Sequence, residues 1–465
     1  MSASSTQAVV IAAGRGTRTG GTRAKVLLPV LGVPLLEHVL RALESVDADP
    51  TVVVVGHQAQ AVESAFAGRG LTFVLQEPQL GTGHAVQAAR AALQKHPERT
   101  ALVVNGDLPL LRARTLARLL EHHRASGAAA TLLSALLPGP PAYGRVLRDA
   151  RGRVQRIVEA RDASPEELKE AEVNAGVYAF EVPPLLEALG KLTANNAQSE
   201  LYLTDVVGLL SAGGRVVEAV TVEDASEALG VNTLAEVADA SRRWRERRLL
   251  ELMAGGVLVE DPASTTVGLD VRVEPEATLR AFTFLEGRTL VRAGAVIGPF
   301  ARLEDAEVGP GAQILDHCLL RKCVVEAGAM VGPFTHIRPE SRIGAGAKVG
   351  NFVELKKTHL GDGSKAPHLS YLGDATIGPK VNIGAGTITC NYDGAAKHPT
   401  RIEAGAFVGS DATLVAPVTV GEGAYIAAGS VITEDVPAQA LALGRARQVI
   451  KPGWTRKRRG AGEGR

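Results

Sequence analysis

In the last third of the chain a small aliphatic residue returns at every sixth position. Val325, Val331, Ile337, Ile343, Val349 and Leu355 form one ladder, and Ile402, Val408, Leu414, Val420, Ile426 and Ile432 form another. Shorter runs keep the same spacing: Val291, Ile297, Leu303; Val308, Ile314, Leu320; Ile377, Ile383. Six is a multiple of the strand period and not of the helical one, so a helix would scatter these residues around its circumference, whereas short strands turning corners stack them on one inward face. Glycine follows many ladder positions (Gly298, Gly332, Gly350, Gly384, Gly409), as tight corners require. Ordinary hairpins have no reason to keep one phase over successive turns, so the pattern predicts a hexapeptide β-helix over about residues 257–437. Two stretches, 356–371 and 388–399, break the phase and are expected to leave the coil as loops, where a solenoid meets its ligands.

The first half reads differently. Apolar runs at 8–12, 51–55, 72–75, 101–104 and 131–136 alternate with amphipathic segments such as 35–46, 83–94 and 114–125. This βαβ rhythm predicts a mostly parallel sheet covered by helices, with ligands at the strand C-terminal ends. The domains are then 1–234, a connecting helix over 235–256 closed by Gly255-Gly256, and 257–465. The Arg-rich face of the connecting segment is either a solvated surface or a nucleic-acid contact. The tail from Arg456 is expected to be disordered, with its cations available to a phosphorylated ligand.

Composition narrows the function. A formal net charge of +1 and 4% aromatic residues give no field or stacking platform for nucleic acid, which favours the solvated reading of the connecting helix. Cys318, Cys323 and Cys390 are too few for a disulfide framework and lack the partners of a zinc site. No stretch approaches the roughly 20 apolar residues of a membrane span, and the N-terminus has no basic-then-apolar leader, so a soluble cytoplasmic protein with small-molecule partners is expected.

Several polar segments interrupt the apolar runs. Ala12-Ala13-Gly14-Arg15-Gly16-Thr17-Arg18 follows the first strand and lets backbone N–H groups approach an anion. It matches neither the dinucleotide fingerprint nor a Walker A loop, and alone it is either a phosphate loop or a structural turn. Arg15, Arg18 and Lys25 add cations suited to a triphosphate whose charge grows on the leaving pyrophosphate. Asn105-Gly106-Asp107 ends another strand, where an Asp either holds Mg2+ through oxygen or forms a turn. Gln76 and Gly81-Thr82 open a helix; Tyr143-Gly144-Arg145, Glu159, Asn174 and Asn232 lie beside further apolar runs. In the second half His368, near Tyr371, Arg338 and Lys356, is either incidental or a base that takes the proton of an amine attacking a thioester.

Taken in order, these segments resemble the bacterial family of bifunctional N-acetylglucosamine-1-phosphate uridylyltransferases and glucosamine-1-phosphate N-acetyltransferases over essentially the whole chain. The acetyltransferase half is similar through Gly350-Asn-Phe-Val-Glu-Leu-Lys-Lys, His368-Leu-Ser-Tyr-Leu-Gly-Asp and Asn382-Ile-Gly-Ala-Gly-Thr-Ile-Thr-Cys-Asn-Tyr-Asp-Gly. The resemblance implies an α/β protein: an N-terminal Rossmann-like nucleotidyltransferase domain with a mostly parallel sheet, a connecting helix, and a C-terminal left-handed parallel β-helix of hexapeptide repeats. It implies that Ile11, Ala12, Ala13, Gly14, Gln76, Gly81 and Thr82 hold uridine nucleotide together with Asn105 and Gly106. Lys25 would contact the phosphates, and Arg18 with Lys25 would stabilise the departing pyrophosphate. Gly144, Glu159 and Asn174 would bind the acetylated sugar, while Asp107 and Asn232 would coordinate Mg2+. By the same resemblance His368 is the general base with Glu354 as its orienting partner. Arg338, Lys356, Tyr371 and Asn382 would bind the amino-sugar phosphate; Ala385, Asn391, Tyr392, Ser410, Ala428 and Arg445 would bind acetyl-CoA. UTP and acetyl-CoA are the implied co-substrates, and the implied assembly is a homotrimer. Two departures stand out: Asn105 replaces the family's usual aromatic residue, and Ala24 its usual Pro. The opposing expectations are a plain nucleotidyltransferase whose β-helix only assembles, and a scaffold with degenerate sites.

Overall fold

A computed structural model describes residues 5–14, 16, 23–139 and 142–460. Arg15, Thr17 and Arg18 lie outside the described residues. The chain divides into two compact units, 1–244 and 245–465.

The first unit is built on a nine-stranded sheet: β1 (Thr6–Ile11), β2 (Thr51–Val55), β3 (Thr72–Leu75), β4 (Thr100–Asn105), β5 (Ala130–Leu136), β6 (Arg145–Arg148), β7 (Val154–Val158), β8 (Glu172–Glu181) and β9 (Val217–Thr221). Its order is β9-β5-β8-β4-β1-β2-β3, with β6 and β7 as a hairpin beside β8. β8 runs antiparallel to β4 and β5, while β1, β2, β3 and β4 are parallel. Alternate residues of each central strand enter opposite cores. Val10, Val53, Leu102 and Val104 join one, and Val9, Val52, Ala101 and Val103 the other. Both faces are therefore covered, which explains why these strands read as continuous apolar runs. Ile11 pairs with Asn105, so the loops after β1 and β4 leave the sheet side by side.

The second unit coils as three parallel sheets, with eleven, ten and nine strands. The ladder residues form its single core, nearly all fully buried. They make one column set, and the shorter runs are the same ladder with a shortened corner. From Leu303 to Val308, Leu320 to Val325, Leu355 to Leu360 and Leu372 to Ile377 one corner closes with a residue fewer than elsewhere. Asp305, Lys322, Lys357 and Asp374 turn these corners with φ between 43° and 50°. The stretch after Leu355 is accordingly no loop: Leu360, Ala366 and Leu372 continue the core, and the apparent break is two shortened corners in succession. The second interruption does project, but it begins later than expected, because Ile388–Cys390 is a strand and Thr389 is buried. Coiling also runs further than residue 437, to the strand Leu441–Ala442. At another corner Phe282, Phe300, His317, Phe334 and Phe352 adopt positive φ and stack ring on ring, with centroids 4.6–5.4 Å apart. Ring stacking offsets part of the backbone strain at each such residue.

The connecting helix spans Leu234–Ala254. Its Trp244 donates from Nε1 to the Pro109 carbonyl at 2.7 Å and lies 5.3 Å from the His38 ring. Its Leu249 and Leu252 belong to the core of the second unit. The tail differs from expectation, since Trp454–Gly460 is a helix. Among the described residues no helix is long and apolar enough to cross a membrane, and the cysteines are free. Burial pushes the thiols of Cys318 and Cys323 up to about 11 and about 12, which leaves both unreactive.

His38 is 4% exposed, accepts no ion pair, and has its pKa lowered by burial to about 4. The unfolded chain therefore binds a proton between pH 6.5 and 4 that the folded unit refuses, and stability falls as pH falls through that window. Urea unfolding followed by Trp244 fluorescence should lose up to about 3 kcal/mol from this one group between pH 7 and 4. A His38→Phe variant should show a correspondingly shallower pH slope than the parent; an identical slope would reject this account.

Candidate functional site

At the C-terminal edge of the sheet, Ile11, Ala13, Gly14, Gln76, Gly81 and Thr82 line one cavity of about 430 Å³ with Gln79 and Glu200. Gln79 Nε2 donates to the Ala13 carbonyl at 2.7 Å and Gln76 Nε2 to the Gly81 carbonyl at 2.9 Å, so the two amides shape the wall. Gly81 has φ +102°, and a Cβ there would stand 2.7 Å from the Leu201 carbonyl oxygen. Only glycine fits this close approach. Ala12 is buried behind the wall and does not line the cavity. Gln79 was not anticipated; its signal is an amide midway between Gln76 and Gly81.

Beside this cavity three expected residues converge. Lys25 Nζ lies 2.5 Å from Asp107 Oδ2 and 3.1 Å from Asn232 Oδ1. The two oxygens are thus aimed at one point, and an ammonium stands there. Asp107 and Asn232 are both hard oxygen donors, so the pair fits a cation of the Mg2+ kind. Lys25, expected on phosphate, is seen here at the cation position instead. Asn105 fills the space over Gly176, where φ is +72° and a Cβ would meet the Asn105 amide at 2.2 Å. Ala24 is buried at the start of the turn that carries Lys25.

Gly144, Glu159 and Asn174 also come together. A Cβ on Gly144 would approach both Glu159 carboxylate oxygens to 3.5 Å, and the Asn174 N–H donates to the Gly144 carbonyl at 2.9 Å. Burial raises the Glu159 carboxyl above its ordinary range, against the opposing hydrogen bond from the Thr204 hydroxyl at 3.0 Å. Thr204 had no sequence signal of its own, because it reaches Glu159 from a helix remote in the chain.

In the second unit one column of the coil carries four of the expected residues, His368, Ala385, Ser410 and Ala428. Asn351 pairs with His368, and two positions after the ladder residues Ile383, Val408 and Ile426 come Ala385, Ser410 and Ala428. Backbone bonds join successive rungs of this corner: Leu369 to Asn351, Asp411 to Ala385 and Gly429 to Ser410. Arg445 donates to the Ala428 carbonyl at 2.8 Å. His368 Nδ1 is 2.9 Å from Asn351 Oδ1, an oxygen that only accepts, so Nδ1 is the donor and Nε2 is left free of that contact. The orienting partner is therefore Asn351. Glu354 instead pairs with Arg338 at 2.8 Å.

On the adjoining face Tyr371 and Asn391 meet over Gly373, where a Cβ would lie 2.5 Å from the Tyr371 hydroxyl and 2.8 Å from the Asn391 amide. Asn391 donates to Asp374. Asn382 stands on a different sheet, paired with Lys365 and Phe407, and Tyr392 is exposed on the projecting loop. That loop supplies an unexpected cation. The Lys356 ammonium beside Lys397 holds the Lys397 pKa below its ordinary value. Two like charges facing one another make an anion site with Arg338 nearby in the column of Lys356. The signal was a lysine inside the only inserted segment of the ladder among the described residues.

A model of the MobA-like NTP transferase domain matches residues 8–167, and the bacterial transferase hexapeptide model (six repeats) matches 322–357 and 399–434. The latter accords with the expected left-handed winding. Over 450 residues the chain is 46% identical to the bifunctional protein GlmU of Brevibacillus brevis, covering 97% of each chain. It is 44% identical to that of Geobacillus thermodenitrificans over 97% of this chain and 98% of that one. Against the Kineococcus radiotolerans protein the identity is 48%, over 97% and 92%. Identity at this level across both units shows that the chain belongs to the bifunctional GlmU family.

Proposed function

We propose that this chain makes UDP-N-acetylglucosamine in two transfers, one on each unit. In the first, the amine of glucosamine-1-phosphate attacks the thioester carbonyl of acetyl-CoA. His368 Nε2 takes the ammonium proton, Asn351 fixes the tautomer, and the CoA thiolate leaves. Arg338, Lys356 and Lys397 hold the sugar phosphate, with Tyr371 and Asn382 on the ring. Acetyl-CoA runs along the column of Ala385, Ser410 and Ala428 toward Arg445, with Asn391 and Tyr392 at its side. The observation that carries this reading is that column, because it sets the general base in line with the residues assigned to the thioester donor.

In the second transfer the phosphate oxygen of N-acetylglucosamine-1-phosphate attacks the α-phosphorus of UTP and pyrophosphate leaves. The cavity around Gly14, Gln76 and Gly81 takes the uridine nucleotide, Glu159, Asn174 and Gly144 orient the acetylated sugar, and Lys25 with Arg18 meets the growing charge on pyrophosphate. Mg2+, held by Asp107 and Asn232, would neutralise phosphate charge in that step. The assembly is a homotrimer working in the cytoplasm.

Paired knockouts in the full-length chain test the division of labour. His368→Ala should lower acetyl transfer by about 10²–10⁴-fold and leave uridylyl transfer within about twofold. Asp107→Asn should do the reverse. Equal loss of both activities in either variant would refute the assignment of one transfer to each unit.

Loop replacement checks the added cation. Lys397→Ala should raise the KM for glucosamine-1-phosphate by about tenfold, as expected for loss of one charge-assisted contact. The KM for acetyl-CoA should stay unchanged, and a shift in that constant alone would show that Lys397 serves the other substrate. Sedimentation equilibrium of the same proteins should give three times the chain mass.

A further inference from the structure

Asp107 and Asn232 lie on loops far apart in sequence, one after β4 and one after β9, yet their oxygens meet at a single point. Three ties hold these loops together. The Val231 N–H donates to the Asp107 carbonyl at 3.0 Å. At one end Glu227 Oε2 accepts the Arg112 backbone N–H at 3.0 Å, and Glu227 Oε1 lies 3.6 Å from Arg112 Nε. The same Arg112 reaches Asp224 at 2.7 Å. At the other end the Trp244 indole N–H donates to the Pro109 carbonyl at 2.7 Å, with its ring set against His38.

The Glu227 tie is costly. Its side chain is 1% exposed, and Glu227 Oε1 and Arg112 Nε are both buried without a hydrogen-bond partner. A buried ion pair contributes little to stability over apolar residues of the same volume, because desolvation consumes the attraction. Its distinctive effect is directional. It fixes Arg112, the residue that ends the Asp107 loop, to the short helix Ala225–Ala228 that leads into Asn232.

We propose that Glu227 and Trp244 are positioning residues of the metal pair: by clamping the two loops at both ends they set the separation of Asp107 Oδ2 and Asn232 Oδ1, and so the affinity for a divalent cation. This rests on the reading that the pair binds Mg2+. Neither residue touches the cation or the substrates. Partners one step removed from a metal commonly change its affinity by 10–100-fold.

The test uses the full-length protein and Mn2+ as the probe, with free Mn2+ read by electron paramagnetic resonance in the presence of UTP. Glu227→Gln should weaken Mn2+ binding about tenfold, and Trp244→Phe about fivefold, since it loses one neutral hydrogen bond of about 1 kcal/mol. The Mg2+ concentration for half-maximal uridylyl transfer should rise by the same factors, while kcat at saturating Mg2+ stays within about twofold and acetyl transfer is unchanged. A merely structural role would instead lower kcat at every Mg2+ concentration. Unchanged Mn2+ affinity in both variants, or a kcat loss that saturating Mg2+ does not restore, would overturn the proposal. Asp107→Asn separates the two ideas, because intact Mn2+ binding in that variant would remove the metal site itself. Should Glu227→Gln fail to fold, Trp244→Phe, at a half-buried position, decides the question alone.

Discussion

In-register stacking of one coil on the next governs the second unit. Parallel strands place a residue directly over its counterpart in the next coil, 17 or 18 positions away where nothing is inserted, as Asn351 lies with His368 and Glu274 with Arg292. Inside the prism this makes columns of aliphatic residues, and loss of a buried Ile or Leu there would cost about 2–5 kcal/mol. At the corners it makes columns of chemistry. Asn351, His368, Ala385, Ser410 and Ala428 keep company because nothing is inserted between their rungs except the one loop that belongs to the site. Gly350 shows how tight the stacking is: a Cβ there would fall 2.0 Å from the Pro367 carbonyl oxygen, next to His368.

The first unit solves its problem by a different route. Parallel pairing of β1 with β4 delivers Ile11 and Asn105 to one edge, and with them the cavity lined by Gly14, Gln76 and Gly81, and Asp107. The sheet alone brings neither Glu159 nor Asn232. Glu159 follows a hairpin strand and is met by Thr204 from a distant helix, and Asn232 comes through the loop tied at Val231, Glu227 and Trp244. Precision in this site therefore depends on side chains that bridge loops, whereas precision in the β-helix depends on backbone register.

This difference explains what could be read in the sequence. The ladder announced the coil because its period is enforced at every rung, and the βαβ rhythm announced the sheet because both faces are buried. The bounds of 51–55 coincide with a strand for that reason, whereas 72–75 is a partly exposed edge strand marked by its β-branched and aromatic residues. What failed was the step length at corners. A single missing residue between Leu355 and Leu360 looks like a broken pattern, although Lys357 turns the corner with positive φ and the core continues. The His368 partner was misread because Glu354 is chemically the more familiar orienter, and only register shows that Asn351 is the residue beneath the imidazole. Thr204 carries no local signal, and the signals of Lys397 and Gln79 are weak, since each acts on a residue brought near by the fold.

Lys25 links the geometry of the Asp107 and Asn232 pair to its electrostatics. Asp107 and Asn232 each aim an acceptor oxygen at one point, and Asp107 is only 17% exposed, so its charge is best met by a partner. A cation between the two oxygens supplies that partner. Here the ammonium of Lys25, itself 14% exposed, does so. A divalent ion held by the same oxygens would repel that ammonium, so the two cations would compete for one point.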